Sequence, residues 1–164
     1  MLILGIESSC DDMAAAVVRD GRYILSSVVS SQDAIHKKYG GIVPELASRR
    51  HLETVIPVVE EALEQAKATI DDIDAIGVTQ GPGLVGSILI GLSFAKAVSY
   101  IKNIPFVGVN HIEAHPMAVF LEREVRGFCL KPHSSNLHYL PHCPQKLFYF
   151  LIRIKIPRAY PNSP

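Results

Sequence analysis

The chain has 164 residues, 48% hydrophobic, with 16 basic and 16 acidic side chains, which allows one sizeable core and argues for a single globular unit. Its 3 cysteines are an odd number, so a complete disulfide framework is excluded and a reducing compartment is expected. No uncharged apolar run of about 18 residues occurs, and the N-terminus MLILGIESSCDD lacks the basic start of a secretion signal. The expectation is a cytoplasmic protein without a membrane span.

The zero net charge conceals a division. Residues 1–125 hold all 16 acids against 10 Lys and Arg, a net −6, whereas 126–164 hold 6 Lys and Arg and no acid, a net +6. The same 39 residues carry 6 of the 11 prolines and 2 of the 3 cysteines. A boundary near Val125 follows, with a folded lobe over 1–125 and a basic, proline-rich tail over 126–164.

In chain order, LILGIE (2–7) reads as a strand, SSCDD (8–12) as a polar turn and MAAAVVR (13–19) as a second strand. Asp20-Gly21 is a two-residue hairpin signal, and 22–31 supplies a third strand, so the chain opens as an antiparallel meander. Asp11 and Asp12 lie in its first turn. A solvated turn is the plainer reading of that pair, because Asp is common there. HKKYGG (36–41) reads as a loop, and Pro44 suits the first turn of a helix running from Glu45 to about Ala68. Leu46, Val55, Ile56, Val59, Ala62 and Leu63 mark its apolar side, and Pro57 is expected to kink or split it. Arg49, Arg50 and His51 form a basic cluster, either a solvated helix face or a contact for phosphate or an acidic partner. TIDDID (69–74) is a turn.

A β-branched run ending at Val78 and Thr79 is broken by Gly81, Pro82 and Gly83. Ile88, Leu89, Leu92, Phe94, Ala95 and Val98 then recur at helical spacing, and Phe106 to Val109 form another short strand. Strand, crossover helix and strand make a βαβ unit, whose parallel strands present their ends at one edge. Asn110 is a good N-cap for a further helix. His111, Glu113 and His115 fall at that edge, where ligands of open α/β sheets bind.

Gly81, Gly83 and Gly86 match G-x-G-x-x-G between strand and helix, where backbone N–H groups and the helix dipole can hold a phosphate. Gly81 and Gly83 are therefore the candidate cofactor-binding residues. Against a dinucleotide site, the acid expected about 20 residues on is missing and Pro82 removes a donor; a tight turn with structural glycines is the competing reading. His111 and His115 are four apart, so on a regular helix both imidazoles face one way and can share a metal. Pro116 disfavours helical geometry at His115, which places the helix start at Pro116 with His115 just outside. Two histidines also need a further carboxylate or water.

GIESSCDD, YGGIVPELASRRH, TQGPGLVGSILIGLSFAKA and GVNHIEAH, in this order and spacing, resemble the tRNA N6-threonylcarbamoyladenosine transferase family, formerly the O-sialoglycoprotein endopeptidase or glycoprotease family, in its bacterial and organellar branch. The resemblance implies an α/β fold of the actin/hexokinase-like, ribonuclease H-like kind, built of two βββαβα lobes of which this chain holds the first. It implies transfer of threonylcarbamoyl from its adenylate, an ATP-derived nucleotide, to N6 of the adenosine beside the anticodon of tRNA. His111 and His115 would bind one divalent metal, iron or zinc, that polarises the donor. Asp11 and Asp12 would be catalytic, positioning the amine or taking its proton. Implied partners are tRNA, a paralogous first-lobe subunit and a small ATPase.

Three departures are visible. Asp12 stands where the family usually has Glu, Pro116 is atypical, and after Val125 the sequence ceases to follow the family, consistent with a frameshift, alternative splicing or truncation. The chain by itself is accordingly expected to be inactive. Cys129, His133, His138, His142 and Cys143 in the tail fit no standard zinc spacing. The alternatives are a non-catalytic subunit pairing through this lobe, and the older assignment as a metal-dependent glycoprotease, against which the H-x-E-x-H order argues.

Overall fold

A computed structural model describes residues 1–125 and 128–129. The remainder of the basic tail, with His133, His138, His142 and Cys143, lies outside the described residues.

Strands β1 (Leu2–Glu7), β2 (Met13–Arg19) and β3 (Tyr23–Ser30) form the antiparallel meander. Asp20 and Gly21 close the second hairpin, both with φ positive, at 55° and 66°, as a turn matching the strand twist requires. The rest of the sheet comes from β4 (Ala75–Gly81), β5 (Phe106–Asn110), β6 (Glu122–Val125) and β7 (Phe128–Cys129). Its order is β5-β4-β1-β2-β3-β6-β7, with β4 parallel to both β1 and β5. Five of these seven strands, the meander β1 to β3 with β4 and β5 added in parallel beyond β1, make the ribonuclease H-like arrangement that the resemblance implied.

Period-2 alternation divides the core in two. Leu4, Ile6, Met13, Ala15, Val17, Ile76 and Val78 point to one face, where α2 (Pro44–Ala66) and α3 (Val85–Lys102) cover them. Ile3, Ala14, Ala16 and Val18 point to the other, where Ala114 of the short α4 (His111–Ala114) packs on them. Both faces of β2 are thus buried, which accounts for its unbroken apolar run.

Several local expectations are corrected. The 36–41 stretch is not simply a loop: α1 (Asp33–His36) and a 3₁₀ turn (Lys37–Tyr39) precede Gly40, whose φ is 72°. Pro57 neither splits nor ends α2, which runs 23 residues through it. The proline is exposed, while Thr54, Val55, Val58, Val59 and Ala62 continue the buried stripe on either side. Tertiary burial of that stripe outweighs the missing N–H. Ile56 and Leu89 are exposed rather than part of the apolar sides assigned to them. The basic cluster is divided: Arg49 pairs with Glu45 and Arg50 with Glu53 on the solvent side, whereas His51 is fully buried. α3 is long and apolar enough to cross a membrane by length and composition; one side of it packs on β4, β1, β5 and α2.

Candidate functional site

Because β1, β4 and β5 are mutually parallel, their C-terminal ends reach the same edge of the sheet. β1 ends at Glu7, β4 at Gly81 and β5 at Asn110. Asn110 caps α4, its side chain accepting from the N–H groups of Ile112 and Glu113, so His111 emerges directly above the strand ends. His115 is helical despite Pro116, at φ −53° and ψ −51°, and opens a 3₁₀ turn, His115–Phe120. The expectation that it lies outside helical geometry is corrected: one turn, capped by Asn110 and anchored by buried Ala114, holds both histidines on one side.

Their Nε2 atoms are 3.0 Å apart. The Nδ1 atom of His111 faces Glu7 Oε2 at 3.1 Å and Ser9 Oγ at 3.2 Å. A carboxylate only accepts, so Nδ1 carries the proton and Nε2 of His111 presents its lone pair. His115 Nε2–H can donate to it, or a cation can take the place of that proton. The separation approaches the roughly 3.3 Å between two imidazole nitrogens on one tetrahedral zinc ion. The pair therefore fits two ligands of a metal, with Glu7 as the outer carboxylate that orients the first. Among the described residues, no group of three or more His, Cys, Asp or Glu converges for a metal.

Glu7 is the residue that strand patterning misses. It sits only 8% exposed at the end of an apolar strand, where a carboxylate needs several donors. Oε1 accepts the Ser9 N–H at 2.6 Å, and Oε2 accepts the Thr79 hydroxyl at 2.5 Å beside the His111 ring. Burial pushes its carboxyl up, but the hydrogen bonds from His111, Ser9 and Thr79 outweigh that and hold it below its ordinary range. The available signal was a single acid closing LILGIE, in a strand with no other charge.

Asp11 and Asp12 occupy the turn after β1, half-buried, and Oδ1 of Asp12 is buried without a hydrogen-bond partner. Asp11 lines a cleft of about 410 Å³ together with Asp33, His36, Lys37, Gly41 and Ile42. Beneath the turn lies His51, whose Nε2–H donates to the Cys10 carbonyl at 2.9 Å. Burial depresses the basicity of His51 more than that bond and the charges of Asp11, Glu7 and Asp12 restore it, so the ring is neutral. Burial, reinforced by Asp11, likewise raises the Cys10 thiol and keeps it protonated.

The glycine loop is built against the same turn. Leu84 N–H donates to the Ser9 carbonyl at 2.7 Å. A Cβ on Gly83 would stand 2.3 Å from that carbonyl oxygen, so glycine is needed for the close approach. Gly81 has φ 150°, accessible to glycine, and is followed by a cis bond to Pro82. Close packing accounts for Gly83 and the positive φ for Gly81, around which there is open space for a Cβ.

A family model described as TsaD, tRNA N6-adenosine threonylcarbamoyltransferase, matches residues 23–132. The tRNA N6-adenosine threonylcarbamoyltransferase of Geotalea uraniireducens (strain Rf4) is 60% identical over 125 residues, covering 76% of this chain and 36% of the relative. That of Geobacter sulfurreducens is 62% identical over 125 residues, covering 76% and 37%. Among solved structures, YeaZ from Pseudomonas aeruginosa superposes with a TM-score of 0.53 at 18% identity, over 73% of this chain and 48% of that one, a likeness of fold. The chain spans little more than a third of the length of these curated relatives.

Proposed function

Since the chain belongs to the tRNA N6-adenosine threonylcarbamoyltransferase family, we propose that residues 1–125 are the first lobe of a cytoplasmic transferase site acting on tRNA. The observation that carries this reading is the Glu7–His111–His115 array at the common end of β1, β4 and β5. In the reaction, N6 of the adenosine beside the anticodon attacks the carbamoyl carbon of threonylcarbamoyl-adenylate. The new N–C bond forms, the C–O bond to phosphate breaks, AMP departs and N6 loses a proton.

His111 and His115 would hold the divalent metal, iron or zinc, which when bound supplies Lewis-acid polarisation of the donor. Glu7 keeps His111 in the tautomer with Nε2 available. Asp11, at the cleft, and Asp12, with its unpartnered oxygen, orient the amine and accept its proton. We place Gly81 and Gly83 nearest the phosphate of the adenylate, at the start of α3. The basic residues of 126–164 are left without a role.

The test is a chimaera in which residues 1–125 replace the matching segment of the Geobacter sulfurreducens relative. Transfer to unmodified tRNA is expected, and its loss on His111→Ala, His115→Ala or Asp11→Asn. A folded, metal-binding chimaera with no transfer would overturn the reading. Residues 1–164 alone are expected to give no product.

A second reading, a subunit that pairs through this lobe with a paralogue, and through the assembly with a small ATPase, has an observation of its own. Val85, Leu89, Tyr100 and Ile101 on α3 and Leu52 and Ile56 on α2 are large, apolar and exposed. Co-sedimentation with a paralogous first lobe, lost on Leu89→Glu and Tyr100→Glu while metal binding persists, would favour it.

A further inference from the structure

We propose that Gln32, His36 and His51 are positioning residues, which tie the 32–43 segment to the acidic turn and so set the two walls of the cleft around Asp11. Its functional meaning rests on the assignment of Asp11 and Asp12 to the transfer site; the relay itself rests on geometry alone.

Four hydrogen bonds run in series through the interior. Val43 N–H donates to His36 Nδ1 at 3.3 Å, and His36 Nε2–H donates to Gln32 Oε1 at 3.2 Å. Gln32 Nε2 donates to His51 Nδ1 at 3.5 Å and to the Ala47 carbonyl at 3.3 Å. His51 Nε2–H completes the series at the Cys10 carbonyl, 2.9 Å away. The direction is fixed by its ends, because a backbone N–H only donates and a carbonyl only accepts. Every intermediate assignment follows. Both imidazoles are neutral with the proton on Nε2, and the Gln32 amide has one permitted orientation. A second proton on either ring would set N–H against N–H.

All three side chains are buried, at 1%, 4% and 0% exposure for Gln32, His36 and His51. They join segments far apart in sequence: the turn at Cys10, the α1 region and the start of α2. The cleft draws Asp11 from the first of these, and Asp33, His36, Lys37, Gly41 and Ile42 from the second. His36 is therefore both a link of the relay and part of the wall. The charges around the relay are Asp11, Asp12 and Glu7 on the His51 side, and Asp33 and Lys37 beside His36. Apolar side chains would fill the same volume without fixing the distance between the walls; a directional chain of bonds fixes it. The 3.5 Å link between Gln32 and His51 is the longest and the one at which the segment would part from the turn.

The test uses the 164-residue chain labelled with ¹⁵N. Both His36 and His51 should give the imidazole signature of the Nε2–H tautomer at neutral pH. His51→Leu and Gln32→Leu, neither hydrogen-bonded to Val43, should speed exchange of the Val43 amide by about tenfold or more, with the β-sheet amides of Leu4, Val17 and Val78 unchanged. His51→Gln, whose amide still donates toward Cys10, should retain most of the protection. An Nδ1–H tautomer at either ring would overturn the proposal, as would unchanged Val43 exchange in a folded His51→Leu chain. Should the leucine variants fail to fold, the tautomers of the unaltered chain decide. None of these readouts depends on transfer, so failure of the transferase reading leaves them intact.

Discussion

Replacing Glu7 by Gln removes one negative charge from the centre of the site and keeps nearly the same shape. The carboxylate accepts from Ser9 N–H, Thr79 Oγ1 and His111 Nδ1–H, and all three donors converge on two oxygens. A glutamine offers one oxygen and one NH₂, so the Ser9 N–H and the His111 Nδ1–H, which sit on different oxygens, cannot both keep an acceptor. Hydrogen bonds to a charged group contribute about 1.5–3 kcal/mol each, and orphaning a buried partner costs a similar amount. A net loss of about 2–3 kcal/mol is expected, or roughly 6–12 °C in melting temperature for a lobe of this size. The larger consequence is for His111, which loses the acceptor that fixes its tautomer; loss of such an outer carboxylate typically lowers metal affinity about 10–100-fold. Competition titration of Zn²⁺ against a chelator, on Glu7→Gln and the unaltered chain, measures this directly. Zinc affinity unchanged by Glu7→Gln but abolished by His111→Ala would refute the orienting role of Glu7. A melting temperature unchanged by the substitution would refute the buried-network account.

Three more outcomes follow from packing and protonation. His51 is neutral in the fold and has a lowered pKa, so the unfolded chain binds the proton first as pH falls. Stability that is full above the ordinary value of 6.5 should decline below it. Urea melts at pH 7.5, 6 and 5 should show this decline, and His51→Gln should flatten it. Gly83→Ala sets a methyl group 2.3 Å from the Ser9 carbonyl oxygen; a loss of about 1–3 kcal/mol is expected from forced backbone movement, read by the same melts. Pro57→Ala, at an exposed position within α2, should stabilise by up to about 3 kcal/mol, the helix-interior difference between the two residues; a decrease would show that the proline serves a contact.

What the sequence by itself determined was local. The short apolar runs LILGIE and MAAAVVR, the Asp20-Gly21 turn and the helical spacing after Pro44 and Gly83 suffice to place β1 to β3, α2 and α3, because each depends on residues within about one turn or one strand of itself. Asn110 as N-cap and the His111–His115 spacing belong to the same class. Tertiary structure decided what crosses between segments. Glu7, Thr79 and His111 lie more than 30 residues apart along the chain and meet through parallel pairing of β1, β4 and β5. Pro57 remains helical because a buried stripe outweighs its missing hydrogen bond. His51 falls on the buried stripe of α2 at helical spacing from Ala47 and Val55, but the partners that hold it, Cys10 and Gln32, come from distant segments. A local pattern records which face of an element is apolar; it does not record which polar atom of a distant segment will stand opposite a buried donor, and here that pairing makes the site.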